Sequence, residues 1–113
     1  MVYVRMRNEF DFDDQLIKSL LRILILCILK KEPEYGYKII ANVHKQFGVL
    51  LSPGTLYPLL YKMEKEDLLE ILIIDGKKTY KPTKKGKEKT ECLLKYYKKM
   101  FVNLDSFFEK GSY

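Results

Sequence analysis

The sequence at positions 51–66 reads LSPGTLYPLLYKMEKE, and it has the features of a short amphipathic helix. Ser52 is a favourable N-cap because its hydroxyl can accept a hydrogen bond from an amide of the first turn. Pro53 then occupies the first helical position, where its missing N–H costs nothing. At about 100° per residue, one face collects Leu56, Leu59, Leu60 and Met63. This stretch therefore predicts a helix with one buried face.

The opposite face of this helix lacks Asp and Glu, since Glu64 and Glu66 fall to its sides. Pro58 removes a backbone hydrogen bond and should bend the helix, a local violation typical of functional sites. The face and its flanks consist of Gly54, Thr55, Tyr57, Pro58, Tyr61, Lys62 and Lys65. Such a surface can approach phosphates without like-charge repulsion.

Two further helices are predicted upstream. The nearer runs from about Tyr35 to Phe47, and Gly48 is a suitable C′ residue to stop it. A short turn then leads to Ser52, which together gives a helix-turn-helix pattern. The farther helix runs from about Asp13 to Lys30, with Asp11, Asp13 and Asp14 as N-cap candidates. It is apolar nearly all round and must be covered on several sides.

Residues 1–12 have no clear period, so they could form a strand, a flexible arm or a frayed terminus, with Arg5 and Arg7 near a phosphate.

The pattern after Asp67 changes to that of a β-hairpin. Residues 68–74 are apolar and rich in Ile, and Asp75-Gly76 is a strong two-residue turn signal. Residues 77–81 would be the return strand, with Lys77 and Lys78 at its tip. A hairpin directly after the second helix of a helix-turn-helix makes a winged helix. We therefore predict a mainly α fold with a small β-hairpin, whose winged helix-turn-helix covers residues 13–82.

A long final helix is predicted from about Lys84 to Glu109, capped by Thr83, within a C-terminal segment of residues 83–113. Its length of about 39 Å exceeds what a compact three-helix body needs. A heptad-like seam runs through Leu94, Tyr97, Phe101, Leu104 and Phe108, and Met100 widens it. This stripe could pack inside one subunit, but we favour dimerisation through this helix and the first helix, including Leu20 and Leu24, because each would otherwise expose apolar surface.

The formal net charge of +6 is concentrated in one segment. Residues 77–99 contain ten Lys and two Glu, which leaves the rest of the chain slightly negative. A local basic region is typical of a nucleic-acid footprint, although a solvated Lys-rich helix face has the same composition.

Several classes of function are disfavoured. Cys27 and Cys92 are far apart and do not indicate a disulfide framework, and the single His44 has no partner at metal-ligand spacing. The longest apolar run is too short to span a bilayer and no signal peptide is found, so we expect a cytoplasmic protein without a membrane partner. Because no nucleophile–base pair, metal cluster or phosphate-cradling loop is present, we expect neither an enzyme nor a cofactor.

Three pieces of the sequence resemble the PadR family of winged-helix transcriptional regulators. Residues 35–39 resemble its Gly-Tyr motif, residues 52–60 through 68–70 its recognition-helix signature, and residues 78–86 the strand-to-helix junction after the wing. The resemblance covers about residues 16–90 in the right order and spacing. It departs from the family at Asp67, where Gly is common, in its shorter wing, and in the lack of Trp, so that an aromatic sandwich for drug-like ligands is not supported.

The resemblance implies a homodimer that binds operator DNA, usually as a repressor. The residues it implies for DNA contact are Ser52, Gly54, Thr55, Tyr57 and Tyr61, with Lys62 and Lys65 at the groove edge and Tyr37, Lys38, Lys77 and Lys78 on phosphates. One alternative is a sensor that binds an aromatic or apolar effector at the dimer interface, lined by Tyr96, Tyr97, Phe101, Phe107 and Phe108. Another is a winged-helix interaction module that does not bind DNA, which would carry acidic residues or an apolar patch on the same face.

Overall fold

The computed structural model describes the backbone of residues 7–111 and the side chains of residues 13–111. Five helices and a three-stranded antiparallel sheet make up this part of the chain. The elements are α1 (Arg7–Ser19), α2 (Leu21–Lys31), β1 (Glu34–Tyr35), α3 (Gly36–Phe47), α4 (Pro53–Lys65), β2 (Leu69–Ile74), β3 (Lys77–Pro82) and α5 (Lys84–Lys110). The predicted fold class, a winged helix-turn-helix followed by a long helix, is confirmed.

The prediction of one helix from Asp13 to Lys30 is wrong in two respects. The helix begins earlier, at Arg7, so Asp13 and Asp14 lie inside α1 and are not its caps. It is also broken at Leu20, whose amide is shared between the carbonyls of Leu16 and Ile17. The Ser19 hydroxyl donates to the Leu16 carbonyl at 2.6 Å, and such back-bonding tends to bend helices. The predictions for Arg5 and for the Arg7 side chain lie outside the described residues.

The sheet has the order β1-β3-β2, with β3 in the centre. The predicted hairpin is confirmed, and its turn has positive φ at both Asp75 and Gly76, as a type I′ turn requires. Strand β1 is an addition to the prediction: Glu34 and Tyr35 pair with Tyr80 and Thr79. Two residues are too few to show a period of two, so this strand left no pattern in the sequence.

The core lies between α2, α3, α4 and the sheet. Its centre is formed by side chains with no exposed surface, among them Ile25, Leu26, Ile39, Val43, Leu56, Leu60 and Met63. Val49 and Leu51 of the turn between α3 and α4 are also buried, and Gly48 ends α3 in the left-handed conformation. The helix-turn-helix is therefore fixed by packing within one chain.

Candidate nucleic-acid interface

Helix α4 begins with the predicted cap. The Ser52 Oγ accepts a hydrogen bond from the Thr55 amide at 3.2 Å, and it also lies 3.1 Å from the Thr55 Oγ1. Pro53 occupies the first turn as expected. Ser52 is exposed and Thr55 is half-buried, so this hydroxyl pair sits at the surface at the amino end of the helix.

The two faces of α4 divide as the sequence predicts. Leu56, Leu60 and Met63 are completely buried and Leu59 is partly buried. The outer face exposes Gly54, Pro58, Tyr61, Lys62 and Lys65. The Lys65 ammonium lies 5.1 Å from the centre of the Tyr61 ring, which holds the two side chains beside each other. Among these outer residues of α4 there is no carboxylate, since Glu64 and Glu66 are half-buried at its edges.

Tyr57 has a different environment from the other aromatic residue of this helix. Its ring end lies against Gly36, the first residue of α3, where an added Cβ would come within 2.2 Å of the Tyr57 hydroxyl. Burial raises the pKa of Tyr80 on β3, and nearby Tyr57 and Glu64 raise it further. Tyr57 therefore contacts the start of α3 from α4, while 38% of its surface stays exposed.

Gly36 is a residue of this region to which the sequence analysis assigned no role. It is buried, and its lack of a side chain makes the space that Tyr57 occupies. The Tyr-Gly-Tyr sequence at positions 35–37 carried the signal, but sequence alone did not reveal that the partner of the glycine is a tyrosine on the next helix.

The remaining predicted DNA-binding residues surround the start of α3 and the wing. Tyr37 and Lys38 are exposed in the first turn of α3. The Lys77 ammonium lies 4.4 Å from the centre of the Tyr35 ring, which brings the wing close to that turn. Lys78 is exposed on β3, opposite Ile73 of β2. The fold thus gathers Tyr37, Lys38 and Lys77 in one region. Lys78 is the next residue of β3, and successive side chains of a strand point to opposite faces of the sheet.

The wing also exposes two isoleucines that the sequence analysis did not single out. Ile73 and Ile74 are 67% and 45% exposed, and each is paired across the hairpin with a lysine, Lys78 and Lys77 respectively. Asp75 sits at the tip of the turn. The wing surface is therefore apolar and basic at once, with a single acidic residue at its end.

An apolar groove of about 160 Å³ lies between α2 and α5. Four of the predicted dimerisation residues, Leu20, Leu24, Leu94 and Tyr97, are half-buried in its walls, and Phe101 completes one end. The Tyr97 and Phe101 rings stack at 6.1 Å. Burial raises the pKa of the Cys27 thiol, which also lines this groove. Met100, Leu104 and Phe108 lie farther along α5 and are exposed.

The residues described by the structure include no group of three or more His, Cys, Asp or Glu that could hold a metal ion. Every helix in that same part of the chain is too short or too polar to cross a lipid bilayer.

The geometry above is that of a winged helix with an exposed recognition helix, and comparison with known proteins identifies its family. The model of the transcriptional regulator PadR-like family matches residues 25–92. The chain belongs to this family. It is accordingly a PadR-like transcriptional regulator with a winged-helix DNA-binding fold, and PadR-like proteins are regulators, not enzymes.

Solved structures of PadR-like proteins share the fold over most of the chain. A PadR-like transcriptional regulator from Bacillus cereus has a TM-score of 0.78 and 29% identity, covering 83% of this chain and 96% of the other. A PadR family regulator from Clostridium difficile has a TM-score of 0.71 and 27% identity, covering 79% and 98%.

The curated relatives are longer than this chain. The transcriptional activator GvpE of Haloferax mediterranei is 30% identical over 69 residues, which are 61% of this chain and 36% of the relative. The transcriptional activator GvpE1 of Halobacterium salinarum is 34% identical over 59 residues, covering 52% and 31%. The chain therefore spans about a third of the length of the curated relatives it matches.

Proposed function

We propose that this PadR-like chain acts in the cytoplasm as a dimeric, sequence-specific DNA-binding regulator. The observation that carries this proposal is the outer face of α4, which exposes Tyr61, Lys62 and Lys65 and has no carboxylate among its outer residues. A helix of this kind fits the major groove of B-form DNA.

Phosphate contacts would supply much of the affinity. Lys62 and Lys65 lie on α4, and Lys38 and Lys77 lie where the start of α3 meets the wing. Tyr37 and Lys78 are exposed beside them. Each lysine that neutralises a phosphate releases counterions, so the affinity should fall steeply with salt.

The base-reading set contains no Arg, Asn or Gln, the residues that most often make bidentate base contacts. Readout would depend on the Ser52 and Thr55 hydroxyls, on Tyr61, and on apolar contacts with thymine methyl groups. We expect modest intrinsic specificity that is assisted by the shape and deformability of the DNA.

Dimerisation is supported by the apolar side chains of α5. Met100, Phe101, Leu104 and Phe108 are each more than a third exposed, and they continue the line of the groove between α2 and α5. A second copy would cover this surface and place two α4 helices in successive major grooves. Half-sites would then lie about 34–36 Å apart.

The test is an electrophoretic mobility assay on the protein's own promoter with wild type, Lys62→Ala and Tyr61→Ala. In a dimer, Lys62→Ala removes one phosphate contact from each subunit, so the magnitude of the slope of log K against log salt should fall by about two. Lys110→Ala, at the far end of α5, is the matched control and should keep the wild-type slope. Unchanged binding by both α4 variants would contradict the assignment of this face.

The sign of regulation needs a separate experiment. The family resemblance implies a repressor, whereas the curated relatives are named activators. We propose repression, which predicts that deleting the gene raises expression from the bound promoter. Lower expression after deletion would contradict repression and leave the DNA-binding proposal intact.

A second candidate function is effector sensing at the α2–α5 groove. The groove is lined by Tyr97 and Phe101, but Tyr96, Phe107 and Phe108, which the sequence analysis also named, do not line it. Its volume of about 160 Å³ is below the 300 Å³ or so of a typical drug-sized site, so an effector would need walls from both subunits. Thermal stabilisation of the dimer by an aromatic compound would support this function, and its loss in a Phe101→Ala variant would locate it.

A further inference from the structure

The carboxyl end of α4 and the amino end of α5 are hydrogen-bonded to each other through one residue, Thr83. Its hydroxyl donates to the Asp67 carbonyl at 2.6 Å, and its amide donates to the Leu68 carbonyl at 3.1 Å. The same hydroxyl oxygen accepts a hydrogen bond from the Gly86 amide at 3.0 Å, which caps α5. A single side chain therefore starts one helix and holds the end of the other.

Gly86 makes this contact close. A Cβ at Gly86 would lie 2.0 Å from the Leu68 carbonyl oxygen, so backbone meets backbone with no flexible side chain between them. Asp67, the second residue after α4, has a φ of 62° in the left-handed region that favours glycine. The chain thus accepts an unfavourable conformation at the point where it turns towards Gly86.

Side chains brace the same junction. The Lys85 ammonium donates to the Glu66 carbonyl at 3.1 Å. Arg22 of α2 forms an ion pair with the Glu66 carboxylate and thereby lowers the pKa of that group. At the other end of α2, Lys30 pairs with Glu91 of α5 at 2.6 Å. Helices α2, α4 and α5 are therefore joined in a closed triangle.

The angle held by this triangle has a geometric consequence for DNA binding. Helix α5 has 27 residues and extends about 40 Å. A tilt of about 10° at its amino end would displace its far end by roughly 7 Å, which is about two base-pair steps of 3.4 Å. A loose junction would let the two α4 helices of a dimer adapt to several spacings, and a rigid one would impose a single spacing.

We propose that Thr83 and Gly86 are positioning residues that set the half-site spacing this regulator accepts. The inference rests on the proposed dimeric DNA binding. Neither residue touches DNA in this account; each acts by fixing the direction of α5 relative to α4.

The experiment starts from a random duplex library, from which wild-type protein selects its preferred site. That site is rebuilt with the half-sites moved by one and two base pairs in each direction, and Kd is measured for each duplex. The variants are Thr83→Val, which keeps the shape but removes the hydroxyl, Thr83→Ser, which restores it, and Gly86→Ala. Lys85→Met removes the hydrogen bond to the Glu66 carbonyl at an exposed position, so it is the milder variant and should not affect folding.

Thr90→Val is the matched control. Thr90 is buried in the same helix, and its hydroxyl donates at 2.8 Å to the Gly86 carbonyl within α5, with no bond to α4. A general loss of α5 stability would therefore affect Thr90→Val as well as Thr83→Val. A change of spacing preference should appear in Thr83→Val and not in Thr90→Val.

Wild type should discriminate by about tenfold or more between its preferred spacing and one displaced by two base pairs. Thr83→Val and Gly86→Ala should reduce this ratio several-fold or move the optimum, and Lys85→Met should do so to a smaller extent. Thr83→Ser and Thr90→Val should match wild type. Each variant's affinity for an isolated half-site should stay within about twofold of wild type.

An unchanged spacing optimum and ratio in Lys85→Met and in every folded Thr83→Val or Gly86→Ala dimer would overturn the inference while leaving the proposed function intact. Failure of the wild type to select any duplex would instead overturn the proposed function, and the inference with it.

Discussion

Helix α4 buries its apolar side chains, whereas the second half of α5, from Lys98 onward, exposes them. In α4, Leu56, Leu60 and Met63 have no exposed surface. In α5, every described side chain from Lys98 onward is exposed, including Phe101 at 46% and Phe108 at 60%. One helix is thus fully packed by its own chain, and the other presents an apolar stripe with no covering partner in the described chain.

The contrast separates the residues that stabilise one subunit from those that would hold two subunits together. The helix proposed to face DNA is positioned by a core that a single chain completes, so one subunit should fold. The helix that would set the spacing exposes a patch of aromatic and aliphatic side chains that monomeric proteins rarely leave in water. Folding and dimerisation should therefore respond to different substitutions.

The largest expected effect is on stability. Leu56→Ala empties a completely buried site, which should lower the free energy of unfolding by about 2–5 kcal/mol. Phe108→Ala removes a larger side chain that is 60% exposed, and the stability of the isolated subunit should change little. Chemical denaturation at low protein concentration measures both. An equal loss of unfolding free energy in the two variants would contradict the difference in burial between the two helices.

Dimerisation should show the opposite sensitivity. Leu104→Glu combined with Phe108→Glu places two charges in the exposed stripe, and we expect the dimer dissociation constant to rise by at least about tenfold. Sedimentation equilibrium should give twice 13.5 kDa for wild type and 13.5 kDa for the variant.

Val102→Glu, at a 68% exposed position off the seam, is the control for this stripe and should remain dimeric. A wild-type chain that sediments as a monomer would contradict dimerisation through this stripe.

A smaller effect is expected where Gly36 contacts Tyr57. Gly36→Ala should push the Tyr57 ring away from α3, because the new Cβ would lie within 2.2 Å of the hydroxyl. Because the ring end can move, the melting temperature should change little. The affinity for DNA should fall measurably. In a double-mutant cycle with Tyr57→Ala, the second substitution should add little to the first. Fully additive losses of affinity would show that the two residues act separately.

The smallest expected effect is on the stability that the Arg22–Glu66 ion pair contributes, which should depend on pH. Arg22 lowers the pKa of Glu66 below its ordinary value of 4.5 in the folded protein. Its stabilising contribution is therefore present above that value and is lost as the pH falls through the folded pKa. The melting temperature of wild type minus that of Glu66→Gln should be slightly positive at pH 7 and approach zero in acid.

The same pH series in an Arg22→Gln background is the control. Without the guanidinium the difference should be near zero at every pH. A difference that persists in acid, or in the Arg22→Gln background, would contradict the assigned cause.

The sequence predicted the elements whose signals are local. Ser52 and Thr83 as caps, Gly48 as a helix stop and Asp75-Gly76 as a turn all act within a few residues, and all four are confirmed. The break at Leu20 was missed because an apolar run through both helices gives one continuous pattern. At the break the Ser19 hydroxyl donates to the Leu16 carbonyl, a contact that periodicity does not register.

The two glycine contacts that were missed join segments that are distant in sequence. Gly36 is needed because of Tyr57, and Gly86 because of Leu68, and neither partner is near in sequence. A glycine in the sequence, considered without its contact partner, indicates only a turn or a helix end. The residues on the outer face of α4 could be placed because helical spacing alone decides which side they occupy.

Hydroxyl-radical footprinting on the selected site tests whether two copies of this chain place two α4 helices on one face of the DNA. Wild type should give two protected blocks centred about 10 base pairs apart, which vanish in the Leu104→Glu/Phe108→Glu variant at the same protein concentration. A single protected block that survives in this variant would contradict binding as a dimer.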